Sequence, residues 1–123
     1  MRKSKINISG FKIGTAENRD GLTGVTVILA PDGGATAGVD VRGCAPGTRE
    51  TDLLDPRKTV QKIHAVVLSG GSAFGLEAAS GCVKYLAEQG VGFPIGNVCV
   101  PIVCSAVLFD LMIGDEKAYP DLL

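Results

Sequence analysis

The residues with the clearest chemical potential lie in Ser69-Gly70-Gly71-Ser72, where two hydroxyls flank two glycines directly after the apolar run Ala65-Val66-Val67-Leu68. A strand, a sharp turn and a helix form the setting of a serine nucleophile elbow. That motif needs glycine two residues either side of the serine, and here Phe74 occupies the second place. A phosphate loop fits no better, because Ser72 stands where a dinucleotide fingerprint has its second glycine, and no Gly-Lys-Ser/Thr is present. What stays open is capture of an anion or a substrate carboxylate by backbone N–H groups at the helix start. Ser69, Gly70, Gly71 and Ser72 are therefore the candidate substrate-binding residues. In the plainer reading Ser72 is an N-cap, its hydroxyl accepting from one of the first free N–H groups of the helix.

The elements that position this turn read as a buried strand feeding a helix. The run from Ala65 is short, β-branched and uncharged, as a strand covered on both faces would be. After the turn, Phe74, Ala78, Cys82 and Leu86 recur at helical spacing with Val83 beside them, and Gly90 supplies a stop. His64, the one histidine, stands at the start of the strand. At strand rise it lies roughly 20 Å from Ser72, beyond the reach of a nucleophile–base pair.

Along the rest of the chain, Ile6 to Ile13 reads as an edge strand ending at Gly14, Thr15 to Thr23 as a loop, and Gly24 to Ala30 as a second strand. Pro31-Asp32-Gly33-Gly34 is a turn signal, after which Ala35 to Val41 is expected to return antiparallel to that strand. Arg42 to Asp55 is a long polar loop of the kind that carries function or an interface. Asp55-Pro56 predicts a short helix through Thr59, Val60 and Ile63. Val91-Gly92-Phe93-Pro94 resembles a strand cut short by proline, followed by apolar runs at Val100 to Val103 and Ala106 to Asp110. The sum is an α/β (α+β) chain whose apolar strands outnumber its helices. More chain or another subunit must cover them.

The 123 residues hold a single domain at most, and the uncovered strands suit a piece of one. A formal charge of −1 with interleaved signs argues against nucleic acid, and Arg2, Lys3 and Lys5 read as a solvated terminus. No apolar run reaches the roughly 18 residues of a membrane helix, and no signal peptide opens the chain, so a cytoplasmic location is expected. The cysteines Cys44, Cys82, Cys99 and Cys104 read as reduced thiols. Their spacing suits no zinc site, and no metal or cofactor is implied. Between Asp40 and Asp52, two arginines and three acids form either a pocket or mutual ion pairs, with pairing the favoured reading. Asp110 and Asp115 have no evident carboxylate partner. By spacing alone no catalytic constellation is complete.

Longer strings carry a resemblance. Gly38-Val39-Asp40-Val41-Arg42-Gly43, Ala45-Pro46-Gly47-Thr48-Arg49-Glu50-Thr51-Asp52-Leu53-Leu54-Asp55-Pro56, His64-Ala65-Val66-Val67-Leu68-Ser69-Gly70-Gly71-Ser72-Ala73-Phe74-Gly75-Leu76, and Phe93-Pro94 with Val100-Pro101-Ile102-Val103 and Ala106-Val107-Leu108-Phe109-Asp110-Leu111 resemble, in order, the peptidases of family S58. These are L-aminopeptidase/D-esterase (DmpA-type) enzymes, to which β-peptidyl aminopeptidases and a nylon-oligomer hydrolase are similar.

The resemblance implies a partial αββα sandwich of the DmpA/ArgJ-like kind with Ntn-hydrolase-like layers, residues 1–123 forming one partial domain. It also implies an enzyme that cleaves itself to expose a serine or threonine as nucleophile, acting on a peptide or amide substrate. The nucleophile and its assisting lysine and asparagine lie downstream in the family, so no catalytic residue is carried onto these positions. Partners implied are the remainder of the enzyme or further copies in a homo-oligomer. Two departures stand out: Cys44 where the family often has glycine, and Cys104-Ser105 where it tends to have proline and a small residue. Two other readings stay open: a non-catalytic homo-oligomeric homologue, and a small anionic-ligand binding module using the Ser69 to Ser72 turn.

Overall fold

In the computed structural model, which describes residues 8–115 and 117–121, the β-branched stretches form strands β1 (Lys12–Asn18), β2 (Thr23–Leu29), β3 (Thr48–Arg49), β4 (Ala65–Ser69), β5 (Phe93–Ile95), β6 (Val98–Val100) and β7 (Val103–Val107). The helix α1 (Glu77–Glu88) follows β4 through a 3-10 turn, Ser72–Leu76. Five strands make one sheet in the order β1-β2-β4-β7-β3, while β5 and β6 form a separate hairpin. β4 and β7 run parallel and the other pairs antiparallel. A mixed sheet with one helix is an α+β arrangement.

The core lies between α1 and one face of the sheet. Ala65 and Val67 on β4 and Val103 on β7 meet Ala78, Ala79, Cys82 and Leu86 of α1, and Val25, Val27, Leu29, Val83 and Val91 pack around them. Side chains alternate across a strand, so Val66 and Leu68 point to the other face. No helix covers that face among the described residues, and Leu68 is 45% exposed. The loop over residues 37–42 borders, without filling, a hollow of about 310 Å³ above Val66, Leu68, Cys104 and Ala106.

The stop at Gly90 is realised. Its φ of +68° is a left-handed backbone that glycine adopts without strain, its N–H donates to the Ala87 carbonyl, and the Val91 N–H donates to Leu86. Val91 then packs against the core beside Leu86, closing a Schellman end.

Five expectations are corrected. The first strand runs Lys12–Asn18, past Gly14, because it pairs residue for residue with β2; of the stretch assigned to it, Ile6 and Asn7 lie outside the described residues. The loop shrinks to a turn, where Gly21 N–H donates to the Asn18 side chain at 2.9 Å. The turn at Pro31–Gly34 forms, with Gly34 N–H on the Pro31 carbonyl. Yet Ala35 to Val41 does not return along β2, whose two edges are already taken by β1 and β4; only Ala35 bridges, to Ile63.

Asp55-Pro56 opens no helix. Asp55 instead ends a 3-10 turn at Asp52–Leu54 and clasps Arg57, with Nη2 at 2.6 Å, and that guanidinium holds the Asp55 carboxyl down at about 2. Last, β7 spans the gap between two predicted apolar runs, because Cys104 and Ser105 pair with Val66 and Val67 as well as any apolar residue.

Two substitutions test the helix layer. Leu86→Ala is expected to lower unfolding free energy by about 2–5 kcal/mol, the range for emptying a packed leucine site. Gly90→Ala is expected to lower it by about 1 kcal/mol through the left-handed backbone alone. Urea unfolding monitored by circular dichroism checks both.

Candidate functional site

At the carboxyl end of β4 the backbone must reverse within a few residues to feed the helix, and glycine makes that possible. A Cβ on Gly75 would sit 1.8 Å from the Gly70 carbonyl oxygen, and one on Gly70 would sit 2.0 Å from a carboxylate oxygen of Asp110. Gly71 and Ser72 both take left-handed φ, +84° and +51°. For Ser72 this is strained, since its Cβ crowds the backbone there.

The N-cap expectation for Ser72 is therefore overturned. Its side chain makes no cap bond, the residue sits inside the 3-10 turn, and α1 begins only at Glu77. Ser69 does the anchoring: its buried hydroxyl donates to the Gly75 carbonyl at 2.7 Å. Phe74 leaves the apolar stripe and stacks on Tyr119 with ring centroids 5.0 Å apart.

The turn's amides are engaged inside the fold. Gly70 N–H donates to the Gly24 carbonyl, Ser72 N–H to Leu108, and Gly71 N–H to Asp110 Oδ1 at 2.6 Å. Asp110 Oδ2 accepts from the Thr23 hydroxyl at 2.8 Å. An anion does sit at the start of the 3-10 turn, and it is the chain's own carboxylate. The amides of Gly70, Gly71 and Ser72 are thus taken by the chain's own acceptors.

Asp110, left without a partner in the sequence reading, is the residue that fixes the turn. The available signal was indirect. Parallel β4 and β7 end at the same side of the sheet, which brings the residue three places beyond Val107 to the turn after Ser69.

The polar loop divides. Arg42 pairs with Asp40 at 2.6 Å as expected, but both side chains are largely exposed and the pair contributes little. Arg49 instead donates to Ser80 on α1 at 2.6 Å, tying β3 to the helix, and Asp52 pairs with Lys58. Cys44 keeps an ordinary backbone, and the left-handed residue is Gly43 beside it. All four cysteines are free thiols. Burial pushes those of Cys82 and Cys104 upward, so they pack as small apolar groups. Among the described residues no three His, Cys, Asp or Glu side chains gather as a metal would need. No helix among the described residues is long and apolar enough to cross a membrane.

His64 lies at the other end of β4, 6% exposed, with Nδ1 accepting the Ile102 N–H at 3.1 Å. Burial lowers its pKa from 6.5.

A mixed sheet with a helix on one face and a strand-to-helix turn stapled by an internal carboxylate define an α+β protein. The chain matches Peptidase family S58 over residues 5–119 and belongs to that family. It is 46% identical over 122 residues to an uncharacterised aminopeptidase of Mycobacterium leprae, covering 93% of this chain and 33% of that protein. To an uncharacterised aminopeptidase of Mycobacterium tuberculosis it is 52% identical over 97 residues, 79% of this chain and 28% of the other. A 6-aminohexanoate-oligomer endohydrolase of Kocuria sp. is 34% identical over 117 residues, 95% and 30% of the two chains. The chain spans about a third of the length of these relatives.

Asp110→Ala is expected to destabilise by about 1–3 kcal/mol, the cost of leaving a buried donor unpaired. The Gly71 amide should then exchange with solvent faster than the amides of β4, which hydrogen-exchange NMR resolves. For His64 the sign follows from its lowered pKa. The unfolded chain binds the proton more readily, so this contribution is fully present above about pH 6.5 and falls as pH drops below it. Urea midpoints between pH 7.5 and pH 5 should show the decline, and His64→Phe should flatten it.

Proposed function

We propose that this chain is the front portion of a self-processing aminopeptidase or amidase that removes N-terminal residues from peptides, amides or esters, and that it is inactive alone because the nucleophile lies downstream. The observation that carries this is the bare apolar sheet face. Leu68 is joined there by Ile13, 44% exposed, and by Val39 and Val41 of the bordering loop at 48% and 44%. Chains of this size seldom leave so much apolar surface on one side of a sheet. A second sheet laid on that face completes an αββα sandwich of the DmpA type, with residues 1–123 as one partial domain. Membership of the S58 family supports both the chemistry and the layer.

In this reading Ser69, Gly70, Gly71 and Ser72 bear on substrate indirectly, as a rigid wall at the carboxyl end of β4. Their amides are taken by Gly24, Asp110 and Leu108. The four free thiols suit a reducing cytoplasm. A homo-oligomer of the completed enzyme is part of the proposal.

The test follows the reading frame of the gene through this segment. Intact mass of the purified product is expected to show two fragments, the smaller beginning with serine or threonine, together with hydrolysis of aminoacyl p-nitroanilides. A single uncleaved species, inert toward those amides and assembled through this face, would instead favour a non-catalytic oligomeric homologue.

A further inference from the structure

A second recess lies at the opposite end of β4 from the stapled turn. It is an open cleft of about 550 Å³ between the Pro31–Gly34 turn, the segment over residues 59–62 and the stretch over residues 90–94, with His64 on its lining. That volume suits a small molecule.

The imidazole is held for one task. The His64 N–H donates to the Ile102 carbonyl at 2.8 Å, the Ile102 N–H returns to Nδ1, and the His64 carbonyl accepts from Ala30. An amide can only donate, so Nδ1 must present its lone pair and the ring hydrogen resides on Nε2. Protonating Nδ1 would set two donors against each other. Among the described residues no group accepts the Nε2 hydrogen, and Ser105 Oγ is the only side-chain polar atom both sealed from solvent and unpartnered. Nε2–H therefore keeps a contact with solvent, on an otherwise buried ring that lines the cleft.

Lys62 and Asp32 line the same cleft, and neither has an ion-pair partner within 4.0 Å among the described residues. One ammonium and one neutral N–H donor recognise a single carboxylate. Asp32, on the same lining, adds a negative charge that opposes a doubly charged phosphate more than a singly charged carboxylate. Val91, Phe93 and Pro94 supply an apolar wall for the rest of the molecule.

We propose that this cleft binds a small monocarboxylate, one oxygen accepting from His64 Nε2–H and Lys62 neutralising the charge, with a short apolar body against Val91, Phe93 and Pro94. The site is separate from the strand-to-helix turn and independent of any hydrolysis.

The single histidine makes the test direct. Long-range proton–nitrogen NMR of the histidine-labelled protein is expected to show the Nε2–H tautomer. Hexanoate should move the His64 signals to saturation, while inorganic phosphate at matched ionic strength should not. Lys62→Gln, a substitution at an exposed position, should weaken hexanoate about tenfold, the loss of one charged contact. An Nδ1–H tautomer, a shift that never saturates, unchanged binding in Lys62→Gln, or equal binding of phosphate would each overturn the assignment. The variant's undisturbed amide spectrum separates a lost contact from a lost fold.

Discussion

Everything on the covered side of this sheet depends on how closely the chain can approach itself after β4. The Gly70 carbonyl and the Gly75 backbone touch with no room for a side chain, and that contact turns the strand onto α1 within a few residues. Asp110 then closes it, holding Thr23 from β2 and Gly71 from the turn with one carboxylate. Three segments far apart in sequence meet at one charged group, so β2, β4 and the chain leaving β7 have a single permitted arrangement. Charge-assisted bonds of this kind are among the stronger ones a fold can make.

Much of this was legible. Gly24 to Ala30 and Ala65 to Leu68 read as strands and form the bulk of β2 and β4, the Gly90 stop is realised as a Schellman end, and Ala78, Cys82 and Leu86 form the buried stripe. The S58 strings were legible too, since they are long and ordered. What escaped depended on partners distant in sequence. Ala35 to Val41 has a strand's wording, but β2 has only two edges and β1 and β4 fill them. Thr15 to Asn18 has a loop's wording, yet pairing with β2 makes it strand. Asp55 looked like a cap and preferred Arg57. Asp110 looked idle because its two partners lie 87 and 39 residues away.

The two ends of β4 contrast in kind. At the carboxyl end the amides of Gly70, Gly71 and Ser72 and the Asp110 carboxylate are all engaged within the fold, leaving a rigid wall. At the amino end an imbalance persists, with a fixed imidazole presenting one donor outward and two opposite charges left apart. Polar satisfaction separates a structural feature from a binding one more sharply than residue type does.

The strand order also sets a timetable for the growing chain. β1 and β2 form a local hairpin as soon as they emerge, but the central strand β4 gains its second neighbour only when β7 has been made, and Asp110 follows β7 by three residues. The layer therefore stays unlatched until nearly all of this segment exists. From that moment Leu68 and its neighbours form one continuous apolar face, so the order of synthesis decides when that face exists as well as where it lies.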